Sequence, residues 1–219
     1  MNADIIDSYD RLPLGKYLDI LALPAPDGDG SDYQVAVIAI LTGMTPDGVL
    51  DLPLGDYKRA AEASHFLTQP VKTTPGKRMA DTYRLGDLTL VPVRDARKMT
   101  AAQYIDFQSL LKGGEQQLPA MLAAVMVPEG HRYGDGYDFD EVRRAIRDHL
   151  TVTQAEQISA FFLTKFTDLT RTTLTSFRLA LRLMPRKARR TPEGRKLMEM
   201  TDAAIASLTG GAGSPALMK

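Results

Sequence analysis

Ile158, Phe162, Phe166, Leu169, Thr173, Phe177 and Ala180 follow one another at spacings of three and four residues. A helix brings such positions onto one face, whereas a strand would need every second residue. The stripe therefore predicts a long helix from about residue 153 to 184, stopped by Pro185, which lacks the amide that the next turn needs. At about 1.5 Å per residue it would run roughly 45 Å. That exceeds a compact domain of this size, so one end is expected to project or to pack against another chain, a second copy included.

The rest of the chain keeps the helical period in shorter pieces. "LPLGKY" at 12–17 is echoed by "LPLGDY" at 52–57. Each copy reads as a helix start, with the proline at the first helical position, where a missing amide costs nothing. Leu14, Tyr17, Leu18 and Leu21 then share one face, and Leu54, Tyr57 and Ala61 repeat its beginning. The similarity stops after six residues, and one echo is too few for a repeat architecture. "PAPDGDGSD" at 24–32 is a loop, and the apolar run Val35 to Leu41 predicts a short buried helix closed by Gly43. Thr45 and Pro46 open a brief turn before the second LPLG helix, which runs to about Leu67.

One segment breaks the helical pattern. Tyr83 to Leu85 and Leu88 to Val91 flank Gly86-Asp87, a pair suited to a two-residue type II′ turn between strands. Beyond it, Thr100 and Gln103 fit a capping box, with Tyr104, Phe107 and Leu111 as the buried face and Gly113-Gly114 as the end. A further helix carries Leu118, Met121, Leu122 and Val125 up to Pro128, and Asp138 or Asp140 caps the one after it. Thr191-Pro192-Glu193 opens a last helix, and 210–219 reads as a flexible tail. The expected fold is mostly α and bundle-like with one small central β-hairpin. A helical region 1–95 ending in the hairpin precedes a helical region 96–219, or the two share one core.

Composition narrows the function. The 219 residues are 44% hydrophobic and 25% charged, an ordinary globular balance, and no apolar run approaches the roughly 18 residues of a membrane helix. Met1 to Arg11 is polar and acidic, without the n-region and h-region of a secretory signal, so cytoplasmic residence is expected. Cysteine is absent, which removes disulfides and thiolate chemistry. Lysine plus arginine and aspartate plus glutamate number 27 each, so any attraction for nucleic acid would have to be local.

Chemical motifs are sparse. Asp135, Asp138, Asp140 and Glu141 are oxygen donors beside glycines, but their spacing is not that of an EF-hand, and a loop with a helix cap accounts for them. His65, His131 and His149 are scattered and fit no metalloprotease spacing, no nucleophile turn is present, and "GGEQQ" and "GGAGSP" lack the lysine of a phosphate loop. No catalytic residue, cofactor or metal is expected. Arg182, Arg186, Lys187, Arg189, Arg190, Arg195 and Lys196 form a basic run that suits a solvated helix end, or a contact with protein or RNA, though no interleaved aromatics support nucleic-acid recognition. Ten methionines fill a core or line an adaptable surface for apolar helices.

"TAAQYIDFQSLLK", "LPAMLAAVMVPEGHRYGDGYDFDEVRRAI" and "TVTQAEQISAFFLTKF", with the earlier "LPLGKYLDI" and "ILTGMTPDGVLDLPLGDY", cover most of residues 11–170. They resemble a group of proteins from tailed phages that infect Bacteroidetes, the tail assembly chaperones and related tail-morphogenesis factors. The resemblance implies a non-catalytic protein, resident in the cytoplasm of the infected host, that binds the apolar, helical tape measure protein or other tail proteins before the tail tube forms. Capture of apolar helix faces in grooves, by repeated weak contacts, would keep the client from aggregating. Met121, Met126, Phe161, Phe162 and Phe166 are then expected at the client groove or in the core beneath it. The alternative is a virion structural protein, a connector or tail component, whose helices make permanent contacts.

Overall fold

The computed structural model describes residues 5–25, 30–71, 79–162, 191, 196 and 199–203. The chain divides into two compact units, Met1–Ala160 and Phe161–Lys219. As the sequence predicts, the fold is mostly α with a small antiparallel β element.

Helix α1 (Leu14–Leu21) follows Pro13, which sits one position earlier than predicted, in extended conformation at the N-cap. Its first turn is tied to the far end of the first unit. The Leu14 amide donates to the Leu150 carbonyl at 2.8 Å, and the Val152 amide donates to the Leu12 carbonyl at 2.9 Å. These bonds satisfy groups that a helix start leaves without intrahelical partners. Leu150 directly follows helix α7 (Phe139–His149), on which α1 packs. Asp138 caps α7 by accepting from the Asp140 amide at 2.9 Å, and Arg147 reaches Asp19 of α1 at 2.5 Å. A helix over residues 152–162, α8, starts at a full capping box. Thr151 donates its amide to Gln154 Oε1 at 3.1 Å and accepts the Gln154 amide on Oγ1 at 3.4 Å.

Helices α2 (Ser31–Thr42), α3 (Pro46–Leu50) and α4 (Leu54–Ala63) enclose a cluster of Val35, Ile38, Ala39, Val49 and Ala60. Gly43 closes α2 in the left-handed region, and Thr45 caps α3 by accepting from the Gly48 amide. The two LPLG copies part company here. Leu14 is 1% exposed, whereas Leu54 is 69% exposed and Tyr57 and Ala61 are only half-buried. In the second copy the buried residue of the helix is Ala60.

Strands β1 (Tyr83–Leu85) and β2 (Leu88–Pro92) form the predicted hairpin. Gly86 has φ +61° and no described non-glycine residue has positive φ, the signature of a II′ turn over Gly86-Asp87. A third strand, β3 (Met126–Pro128), pairs antiparallel with β2 where the sequence predicts a helix running up to Pro128. The preceding helix α6 (Leu118–Val125) ends at Val125, three residues short of Pro128, and Met126 is already extended. This pairing across residue 95, together with the packing of α1 on α7, joins the regions before and after residue 95 within the first unit, which runs to Ala160.

Every residue of α6 from Pro119 to Val125 is buried, the pattern of a helix surrounded on all sides. Helix α5 (Ala101–Leu110) packs on it, and Thr100 caps α5 through the Gln103 amide at 3.1 Å. The reciprocal half of that capping box is not formed. Gln103 is buried and its side-chain amide instead donates to the Ala124 carbonyl at 2.7 Å. In a continuing helix Ala124 would be served by residue 128, but that residue is proline and has no amide. Val125 is served by the Val93 amide at 2.9 Å. The buried face of α5 is thus Gln103 and Phe107, while Tyr104 and Leu111, expected inside, are exposed.

Candidate functional site

The five side chains expected at a client groove do not converge on one. Met121 lies on the enclosed helix α6 and Met126 opens β3, both buried within the first unit. An apolar side chain already removed from water has no further surface to offer a partner in this conformation. In the second unit Phe161 and Phe162 meet edge to face with ring centroids 5.4 Å apart, Phe162 buried and Phe161 half-buried. Phe166, the basic run from Arg182 to Arg195, most of the predicted stripe and the tail at 210–219 lie outside the described residues.

Apolar surface is found elsewhere in the first unit. Leu50 at the end of α3 is 67% exposed, and with Pro53 and Leu54 it makes an apolar turn into α4. On α5, Ile105 is 62% exposed and Leu111 follows it at the surface beyond the helix end. The second LPLG copy hid the first of these patches, because identical residues at identical spacing gave no sign that one would face the core and the other water.

Between α5 and the loop before α7 lies a cavity of about 530 Å³ lined by Asp106, Ser109, Leu110, Tyr133, Gly134, Gly136, Tyr137 and Phe139. Ser109 and Leu110 stand one helical turn on from Asp106 along α5. The other wall is the loop before α7, whose path depends on left-handed glycines: Gly134 has φ +86° and Gly136 φ +73°. Arg132 and Asp135 close a turn in it, the Asp135 amide donating to the Arg132 carbonyl and Asp135 Oδ2 accepting the Arg132 amide, both at 3.0 Å.

Three aromatic rings face this cavity. Tyr133 and Phe139 pack edge to face at 6.5 Å, and Tyr137 meets His131 in the same manner at 6.0 Å. The Tyr133 hydroxyl donates to Asp106 Oδ2 at 2.7 Å and so ties loop to helix. Burial first, then that hydrogen bond and the Asp106 charge, hold the Tyr133 hydroxyl far above its ordinary value, so it stays a donor. Burial, with the nearby Asp135 charge, also raises Tyr137. Its hydroxyl oxygen is enclosed and finds no hydrogen-bond partner among the described residues.

The wall offers one carboxylate, two phenols and a serine hydroxyl, a set suited to recognition. His65, His131 and His149 are all exposed, and no group of three metal-ligating side chains gathers among the described residues. The sequence signal for the cavity was the alternation Tyr133, Tyr137, Phe139 with Gly134 and Gly136. The aspartates between them fit metal and capping chemistry equally well, so the sequence alone does not single out the aromatic wall.

Among the described residues no helix is long and apolar enough to cross a membrane. No protein-family model, curated protein or solved structure matches the chain.

Proposed function

We propose that this chain is a non-catalytic binding protein of phage tail assembly, a chaperone that holds the tape measure protein in the cytoplasm of the infected host until the tail tube polymerises. The resemblance over residues 11–170 suggests the setting. The structural observation that supports a binding role is the apolar turn of Leu50, Pro53 and Leu54, with two large aliphatic side chains left in water at the junction of α3 and α4. A client helix laid against it would remove that surface from water at about 25 cal/mol per Å². Several copies along one long client would add by multivalency, so each contact can stay weak enough for tube subunits to displace it.

Co-expression with the tape measure protein of the same phage, followed by a pull-down, tests the reading. Retention of a soluble client is the expected result, and an insoluble client that is not retained would reject it. Purified virions separate the chaperone from a permanent tail component. The protein should be missing from mature particles, and a stoichiometric amount there would reassign it as a connector or tail subunit.

A further inference from the structure

We infer that the cavity between α5 and the loop before α7 receives the guanidinium group of an arginine side chain presented by a partner protein. The inference stands apart from the tail-assembly proposal, since it concerns what the cavity recognises and not which protein supplies the side chain.

The walls themselves specify the charge and shape of the occupant. Tyr133, Tyr137 and Phe139 present π systems, which attract a cation above the ring face. Asp106 adds the complementary charge, and its partner is the Tyr133 hydroxyl: no lysine or arginine among the described residues forms an ion pair with it. Of the loop acids, Asp138 lies 3.6 Å from Arg144 and Asp140 3.2 Å from Arg143, while Asp135 accepts the Arg132 backbone amide and is not among the residues that line the cavity. Asp106 is thus the carboxylate that lines the cavity, and it forms no ion pair among the described residues.

Hydrogen-bond capacity favours guanidinium over ammonium. Asp106 keeps acceptor capacity on both carboxylate oxygens after receiving one hydroxyl proton. A guanidinium carries five N–H donors in a fixed plane, enough to pair with the Asp106 carboxylate through two of them while stacking on a ring. A volume of about 530 Å³ accommodates a side chain of that size, and Leu110 offers apolar contact to its methylene stem. A protein source is favoured over a free small molecule because Ile105 and Leu111, each one residue from a lining position, leave exposed apolar side chains on the same stretch of chain for a larger partner to cover.

The test is a nuclear magnetic resonance titration of the full chain with N-acetyl-arginine methylamide, its neutral isostere N-acetyl-citrulline methylamide, and an arginine-containing peptide with apolar neighbours. Arginine should shift the amide signals of Ser109, Gly134 and Gly136 to saturation, the peptide should bind more tightly, and citrulline should leave those signals in place. Asp106→Asn keeps an acceptor for Tyr133 and removes only the charge, so it should weaken arginine binding by at least about tenfold, equivalent to about 1.4 kcal/mol. Equal responses to arginine and citrulline, no response to arginine, or an unchanged affinity in the Asn variant would each overturn the assignment. Tighter binding of the blocked amino acid than of the peptide would overturn the protein source. If the Asn variant loses its folded spectrum, the arginine and citrulline comparison on the unaltered chain decides alone. A chain that takes arginine but not the tape measure protein would refute the proposed function and leave this site standing.

Discussion

Gly15 lies so close to Arg147 that a methyl group in place of its hydrogen would sit 2.9 Å from the Arg147 carbonyl oxygen and 2.6 Å from its Cγ. The backbone contact is what fixes the glycine, since a side chain can move aside and a carbonyl in the last turn of α7 cannot without disturbing the helix end. The corresponding glycine of the second LPLG copy, Gly55, would meet nothing within 4 Å.

Gly15→Ala should therefore destabilise the protein by roughly 1–3 kcal/mol, the range for forcing a methyl into packed structure. Gly55→Ala should instead stabilise it by up to about 1 kcal/mol, through the better helix propensity of alanine. Urea unfolding of the two variants measures both, and equal effects would contradict the asymmetry between the copies.

Gln103 should tolerate no apolar replacement. Gln103→Leu keeps most of the volume but leaves the buried Ala124 carbonyl without a donor, a loss of about 1–3 kcal/mol. The amide of Val93, which serves the neighbouring Val125 carbonyl, should exchange faster with deuterium in this variant, because the end of α6 and the start of β3 are held together.

Glu156 gives a pH dependence of defined sign. Burial raises its carboxyl above the ordinary value of 4.5, so the folded state disfavours the charged form. The penalty is absent in acid, where the group is protonated whether folded or not. It grows as pH rises from the ordinary value through the raised one and is complete above that. Glu156→Gln should raise the melting temperature at pH 7, and the gain should vanish when the two proteins are compared below the ordinary carboxylate range. A gain that persists there would point to packing and not charge.

Replacement of Leu50 and Leu54 by serine should change stability by no more than about 0.5 kcal/mol, as for other exposed positions. Retention of the tape measure protein in the pull-down should fall severalfold. Unchanged retention by a folded double variant would remove this turn from the client surface.

Much of the fold was legible because helix termini carry local chemistry. Thr45, Gly43, Asp138 and the Gly86-Asp87 turn each act through their own neighbours, and each occupies the predicted role. What escaped prediction depends on distant partners. Met126-Val127-Pro128 is too short and too evenly apolar for periodicity to separate strand from helix, and β2 across the sheet decides it. Thr100 and Thr151 begin the same T-x-x-Q pattern, yet only Thr151 keeps its glutamine, because Gln103 has a bare carbonyl to serve on α6. Met121 and Met126 read equally well as core or surface until their neighbours are in place. The cavity escaped because its aromatic rings come from a loop that has no period, and its carboxylate comes from a helix more than twenty residues earlier.

The bond from the Leu14 amide to the Leu150 carbonyl bears on how the protein is made. During synthesis the first helix emerges early, but the backbone acceptor that completes its first turn emerges only after most of the chain has been translated. The first unit can close only when residues near Val152 have cleared the ribosome, which places its cooperative folding late and leaves earlier segments waiting. Nascent chains arrested before Leu150 should accordingly be cut by protease within α1, while those released past Ala160 should resist.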